Sequence, residues 1–125
     1  MEVLSPFADI EDIVLEILSP AGPTVLATPS QITPPLIVVR RIGGSDNKIT
    51  DIARIRVQTF ANSHVGSYDL AEHCRQLVMA SPATGVPGVT IDLAVTDTAP
   101  SYVDYGQPPL QRYVATYRLE LRRPR

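Results

Sequence analysis

Two stretches of this chain alternate apolar and polar residues too regularly to be anything but strands with one buried and one wet face. In residues 52–60, Ala53, Ile55 and Val57 fall on one side, and Arg54, Arg56 and Gln58 on the other. In residues 113–122, Tyr113, Ala115, Tyr117, Leu119 and Leu121 share a face, opposite Arg112, Thr116, Arg118, Glu120 and Arg122. Side chains point alternately to the two sides of a sheet, so a period of two fixes which side meets the core. That pattern belongs to antiparallel sheets. It also predicts an arginine-bearing outer face carrying Arg54, Arg56, Arg112, Arg118 and Arg122 wherever the registers align.

Two further segments read as strands, Leu36 to Ile42 and Val89 to Thr96. The loop Gly43 to Thr50 would join the first of them to residues 52–60 as a hairpin. A short extended piece is placed at Thr24 to Ala27. Ile10, Ile13, Val14, Ile17 and Leu18 recur at helical spacing, with Ser5 as expected cap and Pro6 as first helical residue. A second helix is predicted from Ser63 to Ala80, with Leu70, Cys74, Leu77 and Val78 as its apolar stripe and Ser81-Pro82 as its end. A long loop, Asp97 to Gln111, separates the last two strands.

The order helix, strand, strand, helix, strand, strand predicts an α+β fold: a four-stranded, mostly antiparallel sheet with two helices packed on one face. At 125 residues the whole chain is expected to form a single domain. Twelve prolines are about twice the usual share, and they cluster between the patterned segments as stiff loops. A sheet this small must have its edges covered or paired.

Composition narrows the chemistry. A net charge of −2 removes any whole-chain argument for nucleic-acid or membrane binding. The single cysteine, Cys74, excludes an intrachain disulfide framework. No apolar run reaches the ~20 residues of a membrane span, and Met1 is followed by acidic Glu2, so neither span nor export signal is expected.

Catalytic constellations are weak. Asp69 and His73 stand one helical turn apart, but Cys74 lies about 100° around the helix in the apolar stripe, away from any base. His64, Asp69 and His73 lack the spacing of a zinc motif. Gly43-Gly44 with Lys48 and Thr50 lacks the second glycine of a phosphate loop and precedes a strand, so it reads as a hairpin turn. No enzyme, cofactor or metal is expected.

Charge is unevenly spread. Residues 1–20 hold Glu2, Asp9, Glu11, Asp12 and Glu16 and no base, while residues 112–125 hold five arginines against Glu120. Either these are solvated ends, or the acidic end of one copy meets the basic end of another, as in a head-to-tail ring. Tyr102, Tyr105, Pro108 and Pro109 in the long loop form a stiff, aromatic segment suited to an interface, or one that folds back on its own domain.

The run LIVVRRIGGSDNKITDIARIRVQTFA, the helix SYDLAEHCRQLV and the ending APSYVDYGQPPLQRYVATYRLELRR together resemble the tail terminator proteins of long-tailed bacteriophages, especially those of actinobacteria. The resemblance spans about residues 36–123, and VVRRIGG, DLAE and RYVATYRL are its most specific pieces. It implies a virion structural protein that assembles, in the host cytoplasm, as a homohexameric ring at the head-proximal end of the tail. Such a ring caps the major tail tube protein, ends its polymerisation and offers a joining surface to the head-to-tail connector or stopper. DNA would be only passing cargo in the lumen. In the ring implied by the resemblance, the last strand or the long loop would pair with the next subunit's sheet. By loop placement, contacts are expected at Gly43, Gly44, Asp46 and Lys48, at Tyr102, Tyr105, Pro108, Pro109 and Arg112, and at Arg118 and Arg122. The rival readings are a stopper or tail completion protein and, from another class, a small α+β ligand-binding or regulatory module.

Overall fold

The computed structural model describes residues 5–107 and 109–124. In chain order the elements are α1 (Ile10–Leu18), a single 3-10 turn (Ser19–Ala21), β1 (Thr24–Val25), β2 (Leu36–Asp46), β3 (Thr50–Ala61), α2 (His64–Thr84), β4 (Ile91–Tyr102) and β5 (Gln111–Arg122). The fold is α+β as expected, but the sheet has five strands, in the order β1-β2-β3-β5-β4. The additional strand is the extended piece at Thr24–Val25, which pairs in parallel with Ile37 and Val38. Two residues between proline-rich turns carry too little pattern to announce a pairing partner.

The two alternating segments sit side by side in the middle. β3 and β5 pair antiparallel from Thr50↔Arg122 to Ala61↔Gln111 without a register shift. Because β5 is hydrogen-bonded on both sides, it has no edge to offer another copy, which removes the last strand as a pairing partner between subunits. The chain leaves β3, crosses through α2 to β4 and returns as β5 between them, a split β-α-β arrangement.

Both helices cover one face. Ile13, Val14, Ile17 and Leu18 of α1 join Cys74 and Val78 of α2 over Ile37, Val39, Ile55, Val57, Tyr117 and Leu119. The opposite face is covered only at one end, where Ile32 and Tyr105 lie on Leu36, Val38 and Phe60. The rest of that face is open and charged.

Several boundaries differ from expectation. Asp9, not Ser5, caps α1: its carboxylate accepts the Glu11 N–H at 2.9 Å, one residue before the first buried position. β2 runs on through Gly43-Gly44 to Asp46, so the hairpin loop is only residues 47–49. A bulge between Arg41 and Gly43 re-aims the strand there. Gly44 adopts φ +123, and a side chain there would run into the Ile52 carbonyl, so the second glycine is a close-approach position. α2 continues past Pro82 to Thr84. The proline withdraws the N–H that would reach the Val78 carbonyl, and the Ser81 hydroxyl takes its place at 2.7 Å. β4 runs through Pro100 to Tyr102, which shortens the expected loop 97–111 to residues 103–110. A proline is tolerated there because β4 is an edge strand.

Tyr117 is fully buried beneath α2, and its hydroxyl has no partner among the described residues. A buried unpaired hydroxyl is costly. Tyr117→Phe should therefore leave stability unchanged or raise it by about 1 kcal/mol in urea unfolding, whereas Tyr117→Ala should lower it by about 3 kcal/mol or more.

Candidate assembly surfaces

The hairpin tip is a tight local structure. Asn47 Oδ1 accepts the N–H groups of Ile49 (3.2 Å) and Thr50 (2.8 Å), and Asp46 Oδ1 accepts that of Lys48 (3.2 Å). Lys48 takes the left-handed conformation at φ 76. The C-terminal residues close over this tip. The Arg123 N–H donates to the Ile49 carbonyl at 2.6 Å, its guanidinium bonds the carbonyls of Lys48 and Ser5, and it stacks on Phe7 at 4.1 Å.

The loop after β4 folds back on its own domain. Tyr105 meets Phe60 edge-on, with centroids 5.0 Å apart, and the Arg112 guanidinium lies 5.0 Å from the Tyr105 ring. Arg112 also donates to Gln58 Oε1 (3.1 Å) and to the carbonyls of Val103 and Asp104 (both 3.3 Å). It is thereby the strut of the loop. Pro109 is exposed, and Pro108 lies outside the described residues. Tyr102, 43% exposed at the end of β4, forms an aromatic corner with His64, Tyr68 and Tyr113, and the Tyr113 hydroxyl stands 3.0 Å from His64 Nε2.

The sequence patterns therefore place their residues in three groups. Gly43 and Gly44 shape β2 rather than form a loop. Asp46 and Lys48 sit at the tip, next to the chain's C-terminal end. Tyr102, Tyr105, Pro109 and Arg112 lie around the opposite end of the sheet. Arg118 and Arg122 stand on the open face, each beside an acid: Arg122 with Asp92 at 2.7 Å and Arg118 with Glu120 at 3.7 Å.

The register aligns the expected arginine face and adds a member the pattern did not announce. Arg40 pairs with Arg56 across β2 and β3, and Arg54 with Arg118 across β3 and β5. Arg40 escaped notice because it follows an unbroken apolar run, where period alone does not assign faces. Glu11 of α1 reaches the β2 edge beside it, accepting the Arg41 N–H at 2.9 Å and standing 3.4 Å from Arg40. Arg41 points the other way, into a two-pronged pair with buried Asp51 at 2.7 and 2.8 Å, whose hydrogen bonds hold the guanidinium's pKa above its ordinary value.

The helical pair weighed for catalysis is not brought together. His73 is exposed, while Cys74 is wholly buried. Among the described residues no group of three or more His, Cys, Asp or Glu side chains stands close enough to hold a metal ion. No described helix is long and apolar enough to cross a membrane.

A family model described as phage tail termination protein matches residues 6–93. The chain belongs to that family. No curated protein matches it. The matched span contains the VVRRIGG and DLAE segments and ends early in β4, so RYVATYRL lies beyond it. Tail termination proteins are structural components of the virion, not enzymes, and membership brings a role in tail completion with contacts to tail and head components. In that setting Cys74 is a core residue of α2.

Burial pushes the Cys74 thiol from its ordinary 9.0 up to about 12. The folded state favours the protonated thiol, so this group's contribution to stability is whole below pH 9.0 and drains away as the pH climbs toward about 12. At pH 8 the native protein should react with a soluble disulfide reagent at least about a hundredfold more slowly than the urea-unfolded chain. Equal rates would contradict the burial.

Proposed function

We propose that this protein is the tail terminator of a long-tailed phage: a homohexameric ring, assembled in the host cytoplasm, that sits on the head-proximal end of the tail. It caps the tube of major tail protein, stops its growth, and presents its other side to the connector or stopper of the head. DNA crosses its lumen only as cargo. The family match over residues 6–93 carries this reading. The geometry agrees with it. The two ends of the sheet carry different chemistry, a polar hairpin tip at one and an aromatic corner at the other.

One end presents the hairpin tip, with Lys48 and Ile49 exposed. The other presents Tyr102, Tyr105 and Pro109, with Arg112 bracing Tyr105 and the loop backbone at Val103 and Asp104. These two ends are the contact surfaces toward adjoining rings, with Gly43, Gly44 and Asp46 shaping the first. Arg118 and Arg122 belong to the open sheet face and are candidates for contacts between neighbouring subunits.

Particles made without the protein should carry tails of uncontrolled, excess length that are not joined to heads, as seen by negative-stain microscopy. Correctly measured, head-attached tails would overturn the proposal, and tails of normal length that merely fail to join would favour a stopper. Lys48→Glu lies on an exposed turn and should leave thermal unfolding within about 0.5 kcal/mol of wild type. It should nonetheless reduce the yield of joined particles in complementation.

A further inference from the structure

Two patches of opposite charge remain without full compensation inside the subunit. On the open sheet face, Arg40, Arg54 and Arg56 occupy adjacent positions of β2 and β3. The first two have side chains about half exposed, and each has one acid at its flank, Glu11 at 3.4 Å and Asp97 at 3.1 Å. Arg56 is exposed and forms no ion pair among the described residues. Beside it on β5, the Thr116 hydroxyl and Arg118 Nε are buried without hydrogen-bond partners. On the helix layer, α1 turns its apolar stripe inward and carries Asp12 and Glu16 on its exposed side, in line with the exposed cap Asp9 at i, i+3 and i+7. None of these three is in an ion pair among the described residues.

We propose that the seam of the ring is made by these two patches: the acidic ridge of α1 in one copy seats on the Arg40–Arg54–Arg56 face of the next. This rests on the ring reading and deepens it. The occupant of the arginine face is a second copy because the chain itself carries the complementary acids, at carboxylate spacing along one helix face. The ridge stands on the helix layer and the arginines on the open sheet face, and among the described α1 acids Glu11 alone reaches an arginine of its own subunit, Arg40 at 3.4 Å. A two-fold contact centred on either patch would set like charges against each other. Head-to-tail contact pairs unlike charges instead, and that is the kind of contact that generates a closed ring. Carboxylates arriving at Arg56 would form charge-assisted bonds in a site already walled by β-sheet side chains.

Two variants test the seam in the full-length chain. Arg56→Glu removes the basic side, and the double variant Asp12→Lys/Glu16→Lys removes the acidic side; all three positions are exposed, and circular dichroism checks that both variants fold. By mass photometry, or by crosslinking on tail tubes if the free wild type is monomeric, each variant alone should need at least about tenfold more protein to assemble. Mixed together, they should regain assembly as alternating rings, because the acidic ridge kept by Arg56→Glu meets the arginine face kept by the double variant, and the two charge-reversed patches meet at the next seam. Combining all three substitutions in one chain should restore rings.

Hexamers from the wild type and from both variants alike would leave the ring standing and overturn the seam. Loss of DNA binding in Arg56→Glu by gel shift with a duplex oligonucleotide, with rings intact, would also overturn it and place the face toward the lumen. A wild type that assembles neither free nor on tubes would bring down the ring reading itself.

Discussion

The unbroken ladder between β3 and β5 is the constraint on which the rest of this molecule depends. Twelve consecutive pairs hold two alternating strands in a register where every inward position is filled on both sides. Slipping either strand by one residue would carry Ile55, Val57, Tyr117 and Leu119 into water and the arginines into the core. The penalty for such a slip is several buried side chains at about 1.5–3 kcal/mol each, so one register is selected decisively. With that ladder fixed, β2 and β4 must add on the outside, α2 must cross over β5, and the open face must be the charged one.

The charge asymmetry of the sequence takes on a different meaning in three dimensions. The two chain ends are neighbours: Arg123 lies on Phe7 and bonds the Ser5 carbonyl, while Arg122 and Arg118 have acids from β4 and β5 beside them. Much of the C-terminal positive charge is thus held within the subunit, where exposed pairs of this kind contribute only about 0–1 kcal/mol each. The arginines left for other duties are those in the middle of the sheet. Along the sequence they are scattered over β2 and β3, and only the register gathers them.

How far the sequence could be read follows from the kind of signal each element carries. Periodicity exposed both helices, the central strands and their buried faces, including Tyr117 and Cys74. Boundaries were misplaced where a local rule was overruled by a partner far along the chain. Proline ends a helix unless another donor serves the orphaned carbonyl, and Ser81 serves Val78. Glycine pairs suggest turns, but Gly43-Gly44 lies in a strand because the β3 backbone needs the space at Gly44. β1 has no pattern of its own and exists because the first half of the β2 edge is open to it. Of the proposed contact residues, Arg112 shows most clearly what sequence position conceals, since its hydrogen bonds hold its own loop against Phe60.

Edges explain why faces, not strands, are left to carry assembly. The outer side of β2 is occupied first by β1 and then by the Glu11 carboxylate on the Arg41 N–H. β4 is the long free edge, but three register shifts, Pro100, and the carboxylates Asp92 and Asp97 interrupt it. Those are the devices by which sheet proteins discourage the addition of a foreign strand. Under the terminator role proposed above, such an edge is an advantage, because strand addition is indefinite by nature whereas side-chain patches on two faces set a definite angle. The angle, rather than the strength of any one contact, is what decides whether successive copies close into a ring or run on as a fibre.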